Sequence, residues 1–120
     1  MAKHLSTGRE GESLALKWLR TEGFTIIHSN WRFSYYEIDV IAEQNGILHF
    51  IEVKTRRSSR YGLPEESVSK TKFNRLLRAG EQFLSLNKKW NRVQYDILSI
   101  TIAPNGKPEY FFIRDIWLDY

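Results

Sequence analysis

The chain contains no cysteine, which excludes disulfides, thiolate zinc sites and cysteine nucleophiles together and fits a reducing compartment. With only three prolines and 14% aromatic residues, the composition is not that of a disordered chain. Long apolar runs are missing as well. Nothing approaches the ~18 consecutive apolar residues of a membrane span. The opening MAKHLSTGREGESLALKWL holds no uninterrupted apolar stretch of signal-peptide length. A soluble, cytoplasmic protein without a membrane partner is therefore expected. Internal repeats, low-complexity tracts and linkers are also absent, so residues 1–120 read as one domain.

What remains is enough for a core, with 42% hydrophobic residues in 120 positions. The net charge of +4 and a pI near 9.4 bias the protein mildly towards anionic partners such as nucleic acid. Thr7 followed by Glu10 spells a capping box, and a helix is expected from there to about Glu22, with Leu14, Ala15, Trp18 and Leu19 as its apolar stripe. Gly23 supplies the stop. FTIIHSNWRF then reads as a strand. Two more strands flank Asn45-Gly46, a strong hairpin signal. TKFNRLLRAGEQFLSLN reads as a second helix with Phe73, Leu76, Leu77, Gly80, Phe83 and Leu84 on one face. RVQYDILSITI and EYFFI, joined through Asn105-Gly106, complete the order αβββαββ: an α/β fold with a mixed β-sheet flanked by helices.

The segment EIDVIAEQNGILHFIEVKTR concentrates the chemistry. If Asn45-Gly46 is a two-residue turn, Gln44 faces Ile47, and counting outward puts Asp39 opposite Glu52 and Glu37 opposite Lys54. Alternation then places these four charges on one face, while Ile38, Val40, Ile51 and Val53 point to the other. Like charges directly opposed at ~4.5–5.5 Å are destabilising. Three resolutions are open: Lys54 neutralises one carboxylate, one carboxylate keeps its proton, or a divalent cation sits between them. Mg²⁺ takes oxygen ligands at about 2.0–2.1 Å and is often held by one or two carboxylates. A structural salt-bridge cluster is the plainer alternative.

These residues resemble the signature of the PD-(D/E)XK nuclease superfamily, an acidic residue on one strand followed by (D/E)-x-K on the next: Asp39, then Glu52-Val53-Lys54. GREGESLALKWL, NWR, EIDVIA, FIEVKTR and YDILSI also occur in the order seen in YraN-like bacterial proteins. That family resembles a restriction-endonuclease-like fold similar to archaeal Holliday-junction resolvases. The resemblance implies Asp39 and Glu52 as ligands of Mg²⁺ or Mn²⁺, Lys54 as the catalytic lysine, and Glu12, in GREGE, as a further catalytic and metal-binding acid. The family usually carries glycine before E-I-D, where this chain has Tyr35-Tyr36. These two tyrosines offer a stacking surface to a base or simply pack.

Arg56, Arg57 and Arg60 follow the lysine directly, and Lys72, Arg75 and Arg78 recur every three residues along the second helix. Both sets suit phosphate contacts. Nothing resembles a base-reading module, so structure-selective recognition is expected, of DNA ahead of RNA. His4, His28 and His49 form no ligand set. His49 reads as a core residue and Asp96 as a buried structural acid bonded to a neighbouring helix. The leading expectation is a metal-dependent endonuclease. A nucleic-acid-binding module that keeps the fold without cutting is the alternative, and a protein-interaction domain with a structural acid cluster is a third. A homodimer is the assembly usual among resolvases that cut two strands symmetrically.

Overall fold

The elements follow the order that the periodicities predict. In a computed structural model, which describes residues 3–57 and 70–116 with side chains from residue 8 onward, they are α1 (Lys3–Thr21), β1 (Thr25–Phe33), β2 (Tyr36–Gln44), β3 (Ile47–Arg57), α2 (Lys70–Leu86), β4 (Val93–Ile102) and β5 (Pro108–Ile113). Arg60 lies outside the described residues, as does the side chain of His4. The five strands form one sheet in the order β1-β2-β3-β4-β5. All neighbours are antiparallel except β3 and β4. A parallel pair needs a long crossover, and α2 lies within it. Among the described residues, no helix is long and apolar enough to cross a membrane.

Each helix covers one face of the sheet. Ala15 and Leu19 of α1 pack on Val40, Ala42, Ile51, Leu98, Ile100 and Ile102. Leu76, Ala79 and Phe83 of α2 pack on Ile38, Ile41, Leu48 and Phe50. Alternate residues of the central strands therefore feed two cores, which is why ILHFIEV carries an almost unbroken apolar run.

The helix ends follow local chemistry. Gly23, at φ 96°, closes α1 in a Schellman arrangement: Phe24 N–H donates to Leu19 C=O at 2.9 Å and Gly23 N–H to Arg20 C=O at 3.1 Å. The helix begins at Lys3, so Thr7 lies within it and is not the cap that Thr7 and Glu10 spell. A capping box permits a start without enforcing one, and Lys3 to Ser6 contain no helix breaker. Asn45 and Gly46, at φ 55° and 80°, form the expected tight turn, both residues left-handed.

Asp96 is a structural acid, as its sequence position suggested, but its partners are not on a helix. It is fully buried, with Oδ2 bonded to His49 Nδ1 at 2.6 Å and Oδ1 accepting from Gln94 Nε2 at 2.9 Å and the Asp115 N–H at 2.8 Å. Those bonds join β3, β4 and the segment after β5. The sequence could not show this because His49 and Asp115, two of the three partners, come from distant positions. Removing a buried acceptor leaves its donors unsatisfied, so Asp96→Ala should lower unfolding stability by about 3 kcal/mol or more, measured by urea denaturation.

Gly80 lies where α2 meets the sheet. A Cβ there would stand 2.8 Å from Tyr95 Cε1 and 3.0 Å from Phe50 Cδ2. Tyr95 is itself packed between Phe50 and Phe73, so it has little room to yield. Overpacking costs about 1–3 kcal/mol, against a gain of about 1 kcal/mol from replacing a helical glycine. Gly80→Ala should therefore be net destabilising, by up to about 2 kcal/mol. An unchanged denaturation midpoint would show that Tyr95 can swing aside.

Candidate active site

The β2–β3 hairpin has the expected register but a shorter ladder. Pairing runs from Gln44↔Ile47 to Val40↔Ile51 and ends there. Asp39 is the next residue beyond Val40, and its carboxylate, Oδ2, accepts at 2.8 Å from the N–H of Val53, two residues beyond Ile51. On the other side of β2, Asn30 lies between the pairs Ser29↔Val40 and Trp31↔Ile38 and adopts φ 55°. Asparagine tolerates that left-handed conformation better than most residues. Asp39 thus sits where both flanking ladders are interrupted.

This interruption corrects the one-face arrangement. Ile38 packs with Ile41 and Phe50 on the α2 side, whereas Val40 and Ile51 pack on the α1 side, because strict alternation lapses at Asp39. The carboxylates are divided accordingly. Asp39 lines a cavity of about 350 Å³ on the α1 side, with Glu12, Ser29, Asn30, Val53 and Thr55. Glu52 lines a cleft of about 420 Å³ on the α2 side, with Glu37, Lys72, Arg75 and Arg78. Glu37 is not paired with Lys54; it forms an exposed ion pair with Arg32 at 3.1 Å across the β1–β2 ladder.

Glu12 is positioned by its neighbour. Gly11 is buried against β3, and a Cβ on it would overlap the side chain of Thr55. A residue without a side chain lets α1 approach β3 there, and the next residue, Glu12, then reaches the Asp39 cavity. Arg57 Nη2 reinforces the contact with an ion pair to Glu10 Oε1 at 2.9 Å. Arg57 is therefore engaged with α1, and Arg56 is half-buried on the same strand.

Electrostatics keep the two halves of the site in communication. Burial, opposed by the Val53 hydrogen bond and helped by the charges of Glu52, Glu37 and Glu12, pushes the Asp39 carboxyl up to about 6. Burial also raises Glu52, against the attraction of Lys72 and Lys54. Lys54 is lowered by a hydrogen bond to the Lys72 side chain and by burial. The second helix therefore brings a lysine to both members of the Glu-x-Lys pair. Periodicity marked Lys72 only as part of a basic stripe. Ser13, Ser29, Asn30 and Thr55, which add uncharged polar groups to the Asp39 cavity, were not assigned to the site from the sequence, although Asn30 and Thr55 fall within the NWR and FIEVKTR motifs.

The donor set suits a hard divalent cation. It consists of carboxylate oxygens, one of them desolvated and surrounded by like charge, which a cation would relieve. Among the described residues, no three His, Asp or Glu side chains are grouped closely enough to enclose an ion. An ion here would thus take one or two carboxylates, with water and substrate oxygens completing its shell. Without a cation, the raised pKa of Asp39 has a defined consequence. The unfolded chain loses this proton near pH 3.8 and the folded chain near pH 6, so stability falls between those values as pH rises. Asp39→Asn, which keeps an acceptor for Val53, should flatten that fall in metal-free thermal melts, leaving the variant relatively more stable above pH 6.

Comparison with known proteins agrees with the span of the resemblance. The family model described as "Uncharacterised protein family UPF0102" matches residues 11–100. A UPF0102 protein of Rhodococcus opacus is 40% identical over 116 residues, covering 96% of this chain and 98% of its own. One from Dictyoglomus thermophilum is 38% identical over 101 residues, covering 83% and 86%. One from Bacteroides thetaiotaomicron is 36% identical over 106 residues, covering 88% and 87%.

Proposed function

The chain belongs to the UPF0102 family, and from that premise and the geometry above we propose that it is a metal-dependent phosphodiesterase of the restriction-endonuclease-like, PD-(D/E)XK type, cutting nucleic acid in the cytoplasm, DNA ahead of RNA. One observation carries this reading. A desolvated carboxylate, Asp39, lies within electrostatic reach of Glu52 and Lys54 where the β2–β3 ladder ends, with an acid-lined cavity on one side of the sheet and a basic cleft on the other. A merely structural ion cluster has no need of an acid raised towards neutrality by burial, with further acids adding to the rise.

Asp39 and Glu52 would hold Mg²⁺ or Mn²⁺, with Glu12 facing the same cavity as Asp39. When bound, the ion would supply polarisation of the scissile phosphate and a lower pKa for the attacking water. The protein's own groups do the rest. Glu12 accepts a hydrogen bond from that water and orients it. Lys54 neutralises charge that develops on the phosphate oxygens. Lys72 opposes the rise that burial imposes on Glu52 and, with Arg75, draws the flanking phosphates into the cleft. Recognition through phosphates favours structure over sequence, in line with a resolvase-like enzyme acting as a homodimer.

A non-catalytic binding module is the second reading, favoured by the absence of a three-ligand cage among the described residues. Two measurements separate them. Calorimetric titration of Mn²⁺ into wild type and Asp39→Asn should show binding that the variant loses. Repeating it with nucleic acid present allows phosphate oxygens to complete the site. Glu52→Gln should then reduce cleavage of branched, flapped or single-stranded DNA by about 10³-fold while the thermal melt stays cooperative. Nucleic-acid binding indifferent to Mn²⁺ and to Asp39→Asn would establish the module instead.

A further inference from the structure

The tip of the β1–β2 hairpin carries aromatic surface that the core does not use. Tyr35 is 99% exposed and Phe33 is 44% exposed. Ser34, at φ 57°, makes the tight turn between them, and Phe33 pairs with Tyr36 across it. A fully exposed tyrosine adds nothing to packing and leaves apolar surface in water. This tip is also firmly supported. Phe33 stacks on Trp31 at 6.2 Å and 15°, and Trp31 meets Phe83 of α2 edge-on at 5.3 Å. Phe83 is buried. A row of rings therefore runs from the core to the exposed end of the hairpin.

Its surroundings identify what it would take. Tyr35 and Tyr36 line the same cleft as Glu52, Lys72, Arg75 and Arg78. Aromatic faces beside a basic groove are the combination that holds unpaired nucleotides: the cations track the phosphates and the rings stack on bases. An aliphatic or acidic protein partner would use one component and not both. Stacked base pairs inside a duplex offer no face to such a ring, whereas an unpaired base does.

We infer that the hairpin tip, through Tyr35 and the neighbouring rings of Phe33 and Tyr36, is a stacking platform for unpaired nucleobases whose phosphates lie on Arg75 and Arg78. This rests on the nucleic-acid reading above and specifies its substrate: DNA with an unpaired arm next to the bond to be cut.

The test compares binding, in EDTA so that nothing is cut, to a blunt duplex and to the same duplex with an unpaired thymidine arm, by fluorescence anisotropy. Wild type should prefer the forked DNA. Tyr35→Ala should lose about tenfold on the fork and little on the blunt duplex. Tyr35→Phe, which keeps the ring, should restore the preference, and an abasic arm should remove it for wild type. Because Tyr35 makes no packing contribution, the thermal melts of both variants should match wild type. Equal affinities of wild type and Tyr35→Ala on the fork would overturn the platform. So would a dimer in ultracentrifugation that Tyr35→Ala dissolves, since the tip would then be a self-association surface. Blunt-duplex binding and metal-dependent cleavage that survive with no Tyr35 effect would defeat the platform alone. Failure of wild type to bind either DNA at low salt would defeat both readings.

Discussion

The site depends on the hydrogen bond from the Val53 N–H to the carboxylate of Asp39. A hairpin as regular as β2–β3 would ordinarily continue its ladder past Val40 and Ile51, and each added pair would close the space between the strands. Here the side chain of Asp39, one residue beyond the last pair, takes the main-chain donor of Val53, two residues beyond it. The donor is satisfied, as a buried N–H must be, yet the strands are free to part. A carboxylate suits this task because it accepts strongly from an amide and offers a second oxygen for other chemistry. The same residue thereby ends the hairpin and supplies the acid.

Parting the strands also divides the charge. With Asp39 turned towards α1 and Glu52 towards α2, Asp39 shares its cavity with Glu12 alone among charged residues, whereas Glu52 and Glu37 share their cleft with Lys72, Arg75 and Arg78. Asp39 rises towards neutrality because burial and neighbouring acids both oppose its charge. Glu52 is moderated by two lysines. A phosphodiester fits this polarity, since its bridging region must meet the acids through a cation while its flanking phosphates need positive charge. The proposed phosphodiester cleavage and a basic approach path are thus compatible demands on one break in a sheet.

The helices set the distances. Gly11 lets α1 close onto Thr55, and Gly80 lets α2 close onto Tyr95 and Phe50. In both cases a missing side chain brings a residue of the candidate site within reach: Glu12 on one helix, and Lys72, about two turns before the contact, on the other. The His49–Asp96 pair anchors the opposite end of β3. The central strand is therefore fixed at both ends, and the hairpin tip is held by its row of rings. Such a scaffold can present charged groups without yielding to their repulsion.

Much of this was legible along the chain, because it depends on local rules. Periodicity marks α2 nearly to the residue, Gly23 and Asn45-Gly46 mark their turns through left-handed conformations that few residues accept, and the turn sets the hairpin register. Asp39, Glu52 and Lys54 stand out as charges inside apolar strands. What local rules do not carry is where a ladder stops. That outcome follows from competition between a main-chain partner and the Asp39 carboxylate for one N–H, and from Asn30 on a third strand. Counting along the strands assumed that pairing continues and therefore put all four charges on one face. Tertiary structure alone decided that Asp39 shares its cavity with Glu12 and not with Glu52, that Glu52 and Lys54 meet Lys72, and that Asp96 bonds His49. The reason is common to all of them: these contacts join residues distant in sequence, and their geometry exists only after both helices have packed on the sheet.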